Sequence, residues 1–261
     1  MTEAFLNNIL DYKRNLVKEK KEFYYSLKFK TKKSDQPHFF RNMIAGPGQI
    51  KLIAEIKKAS PSQGLIREDF DPVALARIYA ESKASAISVV TEDKYFQGKP
   101  EYIKQISEVV NIPILAKDFI IDDGQVYEAR ANGASAVLLI VAILDDIKLK
   151  ELIRVATAIG LDCLVEIHNE RELKRAVSAG AEIIGINNRD LLAFTVDMQT
   201  CARLIPKIPK GKIIVGESGF KKYAEIRALK EAGAHGVLIG ETFMRAKNIS
   251  KKIKEVLYGT H

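Results

Sequence analysis

From residue 51 onward the hydrophobic and polar positions alternate between two periods. Short, β-branched runs with no polar face mark strands at 51–57, 86–91, 113–118, 136–141, 162–167, 183–188, 213–217 and 236–240. Between them lie stretches of helical period, at 72–81, 100–109, 123–132, 145–159, 170–179, 198–204, 223–232 and 250–257. Strands this apolar are buried on both faces, and strands regularly separated by helices form a parallel sheet with right-handed crossovers.

An internal repeat fixes the count. The segments SKASAISVV, NGASAVLLI, AGAEIIGIN and AGAHGVLIG share a helix end, a turn and a small-residue entry into a strand. Their turn positions, Lys83, Gly133, Gly180 and Gly233, lie 50, 47 and 53 residues apart. Each period holds two βα units, so four periods give eight strands. That pattern predicts an α/β fold, a closed (β/α)8 TIM barrel over residues 51–261. A glycine suits the left-handed residue that ends a helix, and Lys83 departs from this in the first copy.

Residues 1–50 stand outside the repeat and are read as an N-terminal helical extension of the same domain. An amphipathic helix with Phe5, Ile9 and Val17 leads into the Lys-rich stretch SLKFKTKKSDQPHF and a Gly-Pro-Gly turn at 46–48. Residues 1–33 carry nine Lys and Arg against four Asp and Glu. The plain reading is a solvated helix capping one end of the barrel. A nucleic-acid arm is the alternative, and no basic motif interleaved with aromatics supports it.

With 261 residues, 47% hydrophobic and 28% charged, the chain has the composition of a globular protein with a sizeable core. A net charge of +8 favours anionic partners. Cys163 and Cys201 have no metal-ligand spacing and read as buried thiols in a reducing compartment. The N-terminal stretch lacks the apolar core of a signal peptide, and no apolar run reaches the ~18 residues of a membrane span. The expectation is a cytoplasmic monomer acting on a small molecule, without membrane or nucleic acid.

In such barrels the active site lies at the C-terminal ends of the strands. Those ends are polar here, while the strand interiors are Ile, Val, Leu and Ala. They carry Glu55, Lys57 and Ser60; Thr91-Glu92-Asp93; Lys117-Asp118; Glu166 and His168; Asn187-Asn188-Arg189-Asp190; Glu217-Ser218-Gly219; and Gly240-Glu241. Only the fourth strand ends in purely apolar residues, Leu139-Ile140-Val141. Structural ion pairs would account for one such pair. Buried pairs add little net stability, however, so Lys57, Lys117, Glu55, Glu166 and Glu217 converging from several strands read as a site. His168 is read as a surface residue in a turn, and His38, His235 and His261 are not spaced as metal ligands. Gly219 and Gly240, in the loops after strands seven and eight, form a candidate phosphate nest. The sequence has no Walker loop and no strand-linked GxGxxG, so no nucleotide cofactor is implied.

The motifs IAEIKKASPSQG, TEDKYFQG, PILAKDFIID, LLIVAIL, LVEIHN, IGINNRDL, GESGF and LIGETFM, in order from about residue 40 to 250, resemble the indole-3-glycerol phosphate synthase family. The resemblance implies ring closure of 1-(2-carboxyphenylamino)-1-deoxyribulose 5-phosphate, with loss of carbon dioxide and water and with no cofactor or metal. It implies Lys117 as general acid, Glu166 in the dehydration, Lys57 holding the substrate carboxylate and Glu55 positioning it. Asn187 and Glu217 would meet the sugar hydroxyls, Phe96 the anthranilate ring, and Arg189 and Ser218 the bound substrate. Ser60, Gly219, Gly240 and the backbone of Glu241 would take the phosphate, and the amino-terminal helix would cover the active-site mouth, bringing Lys- and Phe-containing segments near the substrate. Some relatives have serine or threonine at Glu241; a carboxylate aimed at a phosphate would repel it, so its side chain is expected to turn away. Two other enzyme readings stay open, a Schiff-base aldolase using Lys117 or Lys57 and a phosphoribosyl anthranilate isomerase.

Overall fold

The computed structural model describes residues 3–46 and 48–259. Pro47, at the centre of the expected Gly-Pro-Gly turn, and His261 lie outside the described residues. Eight strands, β1 (Lys51–Ile56), β2 (Ala86–Val90), β3 (Ile114–Lys117), β4 (Ala136–Ile140), β5 (Asp162–Ile167), β6 (Ile183–Asn187), β7 (Ile213–Glu217) and β8 (Gly236–Ile239), are all parallel. They close into a barrel in which each pairs with its chain neighbours and β8 returns to β1.

Strand alternation sorts the side chains into two cores. Ile53, Ala86, Leu115, Leu138, Leu164, Val215 and Leu238 fill the barrel. Their neighbours Ala54, Ile87, Val137, Val165, Ile184 and Val237 pack outward against the helices. Glu55 and Lys57 continue the inward parity of Ile53. Lys117, Glu166, Asn187 and Glu217 do the same on β3, β5, β6 and β7.

The repeat has a direct backbone counterpart. Lys83, Gly133, Gly180 and Gly233 all sit in the left-handed region, with φ of 61°, 96°, 91° and 108°. Lys83 adopts the conformation of the glycines at a cost of about 1 kcal/mol. Helix starts are capped as their sequences suggest. Asp71 caps α4 (Pro72–Glu81), Asp122 caps α6 (Asp123–Ala131), Asp145 caps α7 (Asp146–Ala158) and Asn169 caps α8 (Glu170–Ser178), while α5 (Glu101–Ser107) starts without a side-chain cap.

The N-terminal region differs from its plain reading. It forms three helices, α1 (Glu3–Glu19), α2 (Lys21–Lys30) and α3 (Phe39–Ala45), which reach both ends of the barrel. Part of the Lys-rich stretch stays helical because α2 packs on α6. The Tyr24 ring occupies the space beside Gly124, where a Cβ would come within 2.4 Å of it, and Lys20 pairs with Glu128 at 3.0 Å. α3 closes the base, where Phe40 and Ile44 enter the inner core and the Arg41 amide donates to Asp162 at the start of β5. α1 lies at the opposite end and is not merely solvated. Ile9 is buried, and so is Lys13, whose Nζ is 2.7 Å from Asp118.

Candidate active site at the barrel mouth

A cavity of about 590 Å3 opens at the C-terminal ends of the strands. Its wall includes Glu55, Lys57, Ser60, Phe96, Lys117, Glu166, Asn187, Arg189, Glu217, Ser218, Gly219, Gly240 and Glu241, so all the sequence candidates for binding and catalysis face one space. Phe5, Leu6 and Ile9 of α1 line the cavity, as the resemblance implies for the N-terminal helix, whereas the apolar lining from Phe119, Leu138 and Leu191 was not singled out from the sequence. Parity on β4 points to Leu138, and the amphipathic stripe marks Phe5 and Ile9. What lies over the mouth depends on how the N-terminal chain is routed, which no local pattern encodes.

Glu55 is the hub of the floor. It accepts from Lys57 Nζ at 2.5 Å, and Lys117 Nζ lies 3.7 Å from its other oxygen. Burial alone would raise the Glu55 pKa, but the Lys57 and Lys117 charges outweigh it and hold the group below the usual carboxylate range. For Lys117 burial works against the ammonium, and the Glu55 and Glu166 charges foremost more than offset it, raising its pKa. Lys117 is therefore a fully charged ammonium surrounded by carboxylates.

Glu166 and Glu217 are almost completely buried, and among the described residues no N–H or O–H is aligned for a hydrogen bond to any of their four carboxylate oxygens. Burial pushes both upward. In Glu166 this is overcome by His168 and the Lys117 charge, which hold it ionised. In Glu217 burial prevails, reinforced by the Glu166 charge, and keeps it protonated above the ordinary range. Two unsatisfied carboxyl groups, one charged and one neutral, thus face the same cavity as Lys117. Groups poised this way suit proton transfer.

The surface reading of His168 is overturned. It shares the parity of Glu166, and its side chain is only 11% exposed, with Nε2 3.2 Å from Glu166 Oε1. Glu172 of α8 holds the other side of the ring, 3.0 Å from Nδ1.

The loops after β7 and β8 have distinct reasons for their glycines. Gly219 has φ 89°, and a Cβ there would lie 2.5 Å from Met198 Sδ; the preceding Ser218 is also left-handed, at φ 64°. Gly240 has no such dihedral. A Cβ at Gly240 would instead fall 2.2 Å from Glu55 Oε1, so this position makes room for the hub carboxylate. Gly185 of β6 does the same for Glu217, again at 2.2 Å. The Glu241 side chain pairs with Arg245 at 3.2 Å and with Arg189 at 3.6 Å.

Phe96 stands 6.1 Å from Phe119, ring centre to ring centre. Its loop is tied down by Glu92, a buried carboxylate that accepts from the Tyr95 and Phe96 amides at 2.7 and 2.9 Å. Ser60 lies in a short hairpin, Ala59–Ser60 against Gly64–Leu65, at the rim. Among the described residues, no group of three or more His, Cys, Asp or Glu side chains is arranged to hold a metal ion, and no helix is long and apolar enough to cross a membrane.

Comparison with known proteins adds sequence evidence to this geometry. Residues 6–256 match the family model described as indole-3-glycerol phosphate synthase. A protein of that name from Acetivibrio thermocellus is 51% identical over 220 residues, covering 84% of this chain and 85% of its own. Another, from Caldanaerobacter subterraneus subsp. tengcongensis, is 46% identical over 254 residues, with 95% and 98% covered. Among solved structures, 3-hexulose-6-phosphate synthase from Salmonella typhimurium superimposes with a TM-score of 0.64 at 18% identity. It covers 81% of this chain and all of its own, a likeness of fold.

Proposed function

The chain belongs to the indole-3-glycerol phosphate synthase family, and from that premise we propose a role for each group at the barrel mouth. The reaction is that of a carboxy-lyase in tryptophan biosynthesis. The ring of 1-(2-carboxyphenylamino)-1-deoxyribulose 5-phosphate closes, and carbon dioxide and water leave.

Lys117 donates the first proton. As the carboxyl-bearing ring carbon attacks the ketose carbonyl, the carbonyl oxygen gains negative charge, and the ammonium in its low-dielectric cleft stabilises and protonates it. Loss of carbon dioxide then restores aromaticity, so the ring itself takes up the electron pair. Lys57 holds the substrate carboxylate during closure, and Glu55 fixes both lysines. In the dehydration Glu166, held ionised, takes a proton from the methylene carbon next to the ring nitrogen, while the Lys57 ammonium, released once the carboxylate has left, gives a proton to the new hydroxyl, which leaves as water. Neutral Glu217 donates to a sugar hydroxyl, with Asn187 beside it. Phe96 packs on the anthranilate ring. Ser60 and the amides of Gly219, Gly240 and Glu241 bind the phosphate, with Ser218 and Arg189 alongside.

The observation that carries this reading is the convergence of Lys57, Lys117, Glu55, Glu166 and Glu217 on one cavity that Gly219 and Gly240 also line. The Schiff-base reading loses support from the same geometry. A lysine held charged by the Glu55 and Glu166 carboxylates is a poor nucleophile. The reading also takes the chain as a cytoplasmic monomer with no nucleic-acid partner; sedimentation tests the first of these and salt-dependent RNA or DNA binding the last. The decisive assay is incubation with the carboxyphenylamino-deoxyribulose phosphate, with no metal or nucleotide added, following indole fluorescence. Product is expected, and its absence overturns the reading.

A further inference from the structure

His168 does not line the cavity, yet it bridges two carboxylates, Glu166 on the cavity side and Glu172 on the first turn of α8. On the inner side its Nε2 is 3.2 Å from Glu166 Oε1. On the outer side Glu172 Oε2 sits 3.0 Å from Nδ1 and also accepts the His168 amide at 2.8 Å, so one oxygen clamps both ring and backbone. Glu172 is itself fixed. Its Oε1 accepts from Asn169 Nδ2 at 2.7 Å, and its amide donates to Asn169 Oδ1 at 3.0 Å, which seats the arrangement on the first turn of α8. An isolated ion pair would not need this second layer. A ring gripped at Nδ1 and turned so that Nε2 meets a carboxylate has one consequence: it sets where that carboxylate points.

We propose that His168 is a positioning residue for Glu166, and that the Asn169–Glu172 clamp holds its ring so that Nε2 keeps the Glu166 carboxylate charged and turned into the cleft. The inference rests on the role given to Glu166 above. The other groups facing Glu166 are Lys117 from β3, neutral Glu217 from β7, Glu55 from β1 and Asn187 from β6, so the Glu55 carboxylate opposes its ionisation while Lys117 and His168 favour it by charge. Burial works against the imidazolium, but Glu166 and Glu172 together raise the His168 pKa to about 10, and the ring carries its charge through the neutral range. The contact with Glu166 is not yet aligned as a hydrogen bond. Such contacts tighten when a substrate settles against the carboxylate.

The test combines kinetics with a measurement that needs no substrate. Wild-type turnover is established first; its absence sinks the function and leaves the imidazole measurement to decide the inference. With turnover present, His168→Ala is expected to lower kcat by about 10- to 100-fold with little change in KM, a loss of the size seen when an outer-shell partner is removed. The acid limb of its kcat–pH profile should move to higher pH, because Glu166 loses a cationic neighbour. His168→Gln, which keeps an N–H donor, should recover part of kcat. Glu172→Gln should move the limb in the same direction by a smaller amount. Independently, NMR titration of the imidazole should find His168 charged well above neutral pH, and Glu166→Gln should lower that pKa. Wild-type kcat with an unmoved acid limb in His168→Ala overturns the proposal. A His168 pKa near the ordinary histidine value, unaffected by Glu166→Gln, overturns it as well.

Discussion

Among single residues, Lys117 shows how a side chain becomes suited to its task by its surroundings. Glu55 and Glu166 hold it charged against the effect of burial, and an ammonium that does not lose its proton to solvent is available at every turnover. Lys117→Ala is therefore expected to lower kcat by about 10²- to 10⁴-fold, with KM changed far less, in a steady-state assay of indole formation. Near-normal turnover in that variant would reassign the acid. Glu217 offers a second test through stability. It is held protonated in the folded protein, first by burial and then by the Glu166 charge, while in the unfolded chain it ionises in the ordinary range. The folded state thus binds the extra proton, and this group's contribution to stability falls as pH rises from the glutamate range toward neutrality. Glu217→Gln abolishes that linkage. Thermal melts across this interval should show a shallower decline of Tm with pH in the variant than in the wild type. Equal slopes would mean that Glu217 is ionised when folded.

Elements carry the next level of explanation, because strand ends decide which glycines matter and why. The sequence marks Gly219 and Gly240 alike as parts of a phosphate nest, yet only Gly219 has the left-handed backbone such a nest uses. Gly219→Ala places a methyl against Met198 and Val196 in a strained conformation. Its main effect should be a rise in KM from a displaced phosphate loop. At Gly240 a methyl collides with Glu55 instead, so Gly240→Ala should lower kcat as well, by disturbing the carboxylate that holds both lysines. Comparing kcat and KM for the two variants separates these effects, and a pure KM change at Gly240 would refute the second. The repeat, the eight strands and the inward parity of Glu55, Lys57, Lys117, Glu166 and Glu217 were all legible beforehand, since each follows from local period. His168 was misread although its parity was available, because its burial depends on Glu172, a residue on the next helix. The close approach of Gly240 to Glu55 was hidden for a similar reason. It exists only because β8 closes against β1, bringing together residues 185 positions apart in the chain.

At the scale of the whole molecule the N-terminal segment acts as a strap, with α1 at the mouth, α2 along α6 and α3 under the base. Its basic composition suggested a solvated face, but Lys13 is one of the most deeply buried charges in the protein. Its partner Asp118 immediately follows Lys117 and also accepts from Thr91 Oγ1 at 2.8 Å and from the Phe119 amide at 2.7 Å. One ion pair thereby joins the lid helix to the ends of β2 and β3. Lys13→Met keeps the length of the side chain and removes its charge, leaving a largely buried carboxylate with two neutral donors. The expected loss is on the order of 3 kcal/mol, at the low end for a broken buried pair because those donors remain. Denaturant melts measure it. If the pair truly couples helix to barrel, Asp118→Asn in the Lys13→Met background should cost less than it does alone, whereas additive losses would show that the two residues act separately. Since Phe5, Leu6 and Ile9 of the same helix wall the cavity, the lysine variant should also raise KM. Unchanged KM together with the full stability loss would mean that α1 keeps its place over the mouth through its aromatic contacts, Phe5 on Tyr95 and Phe194, rather than through Lys13.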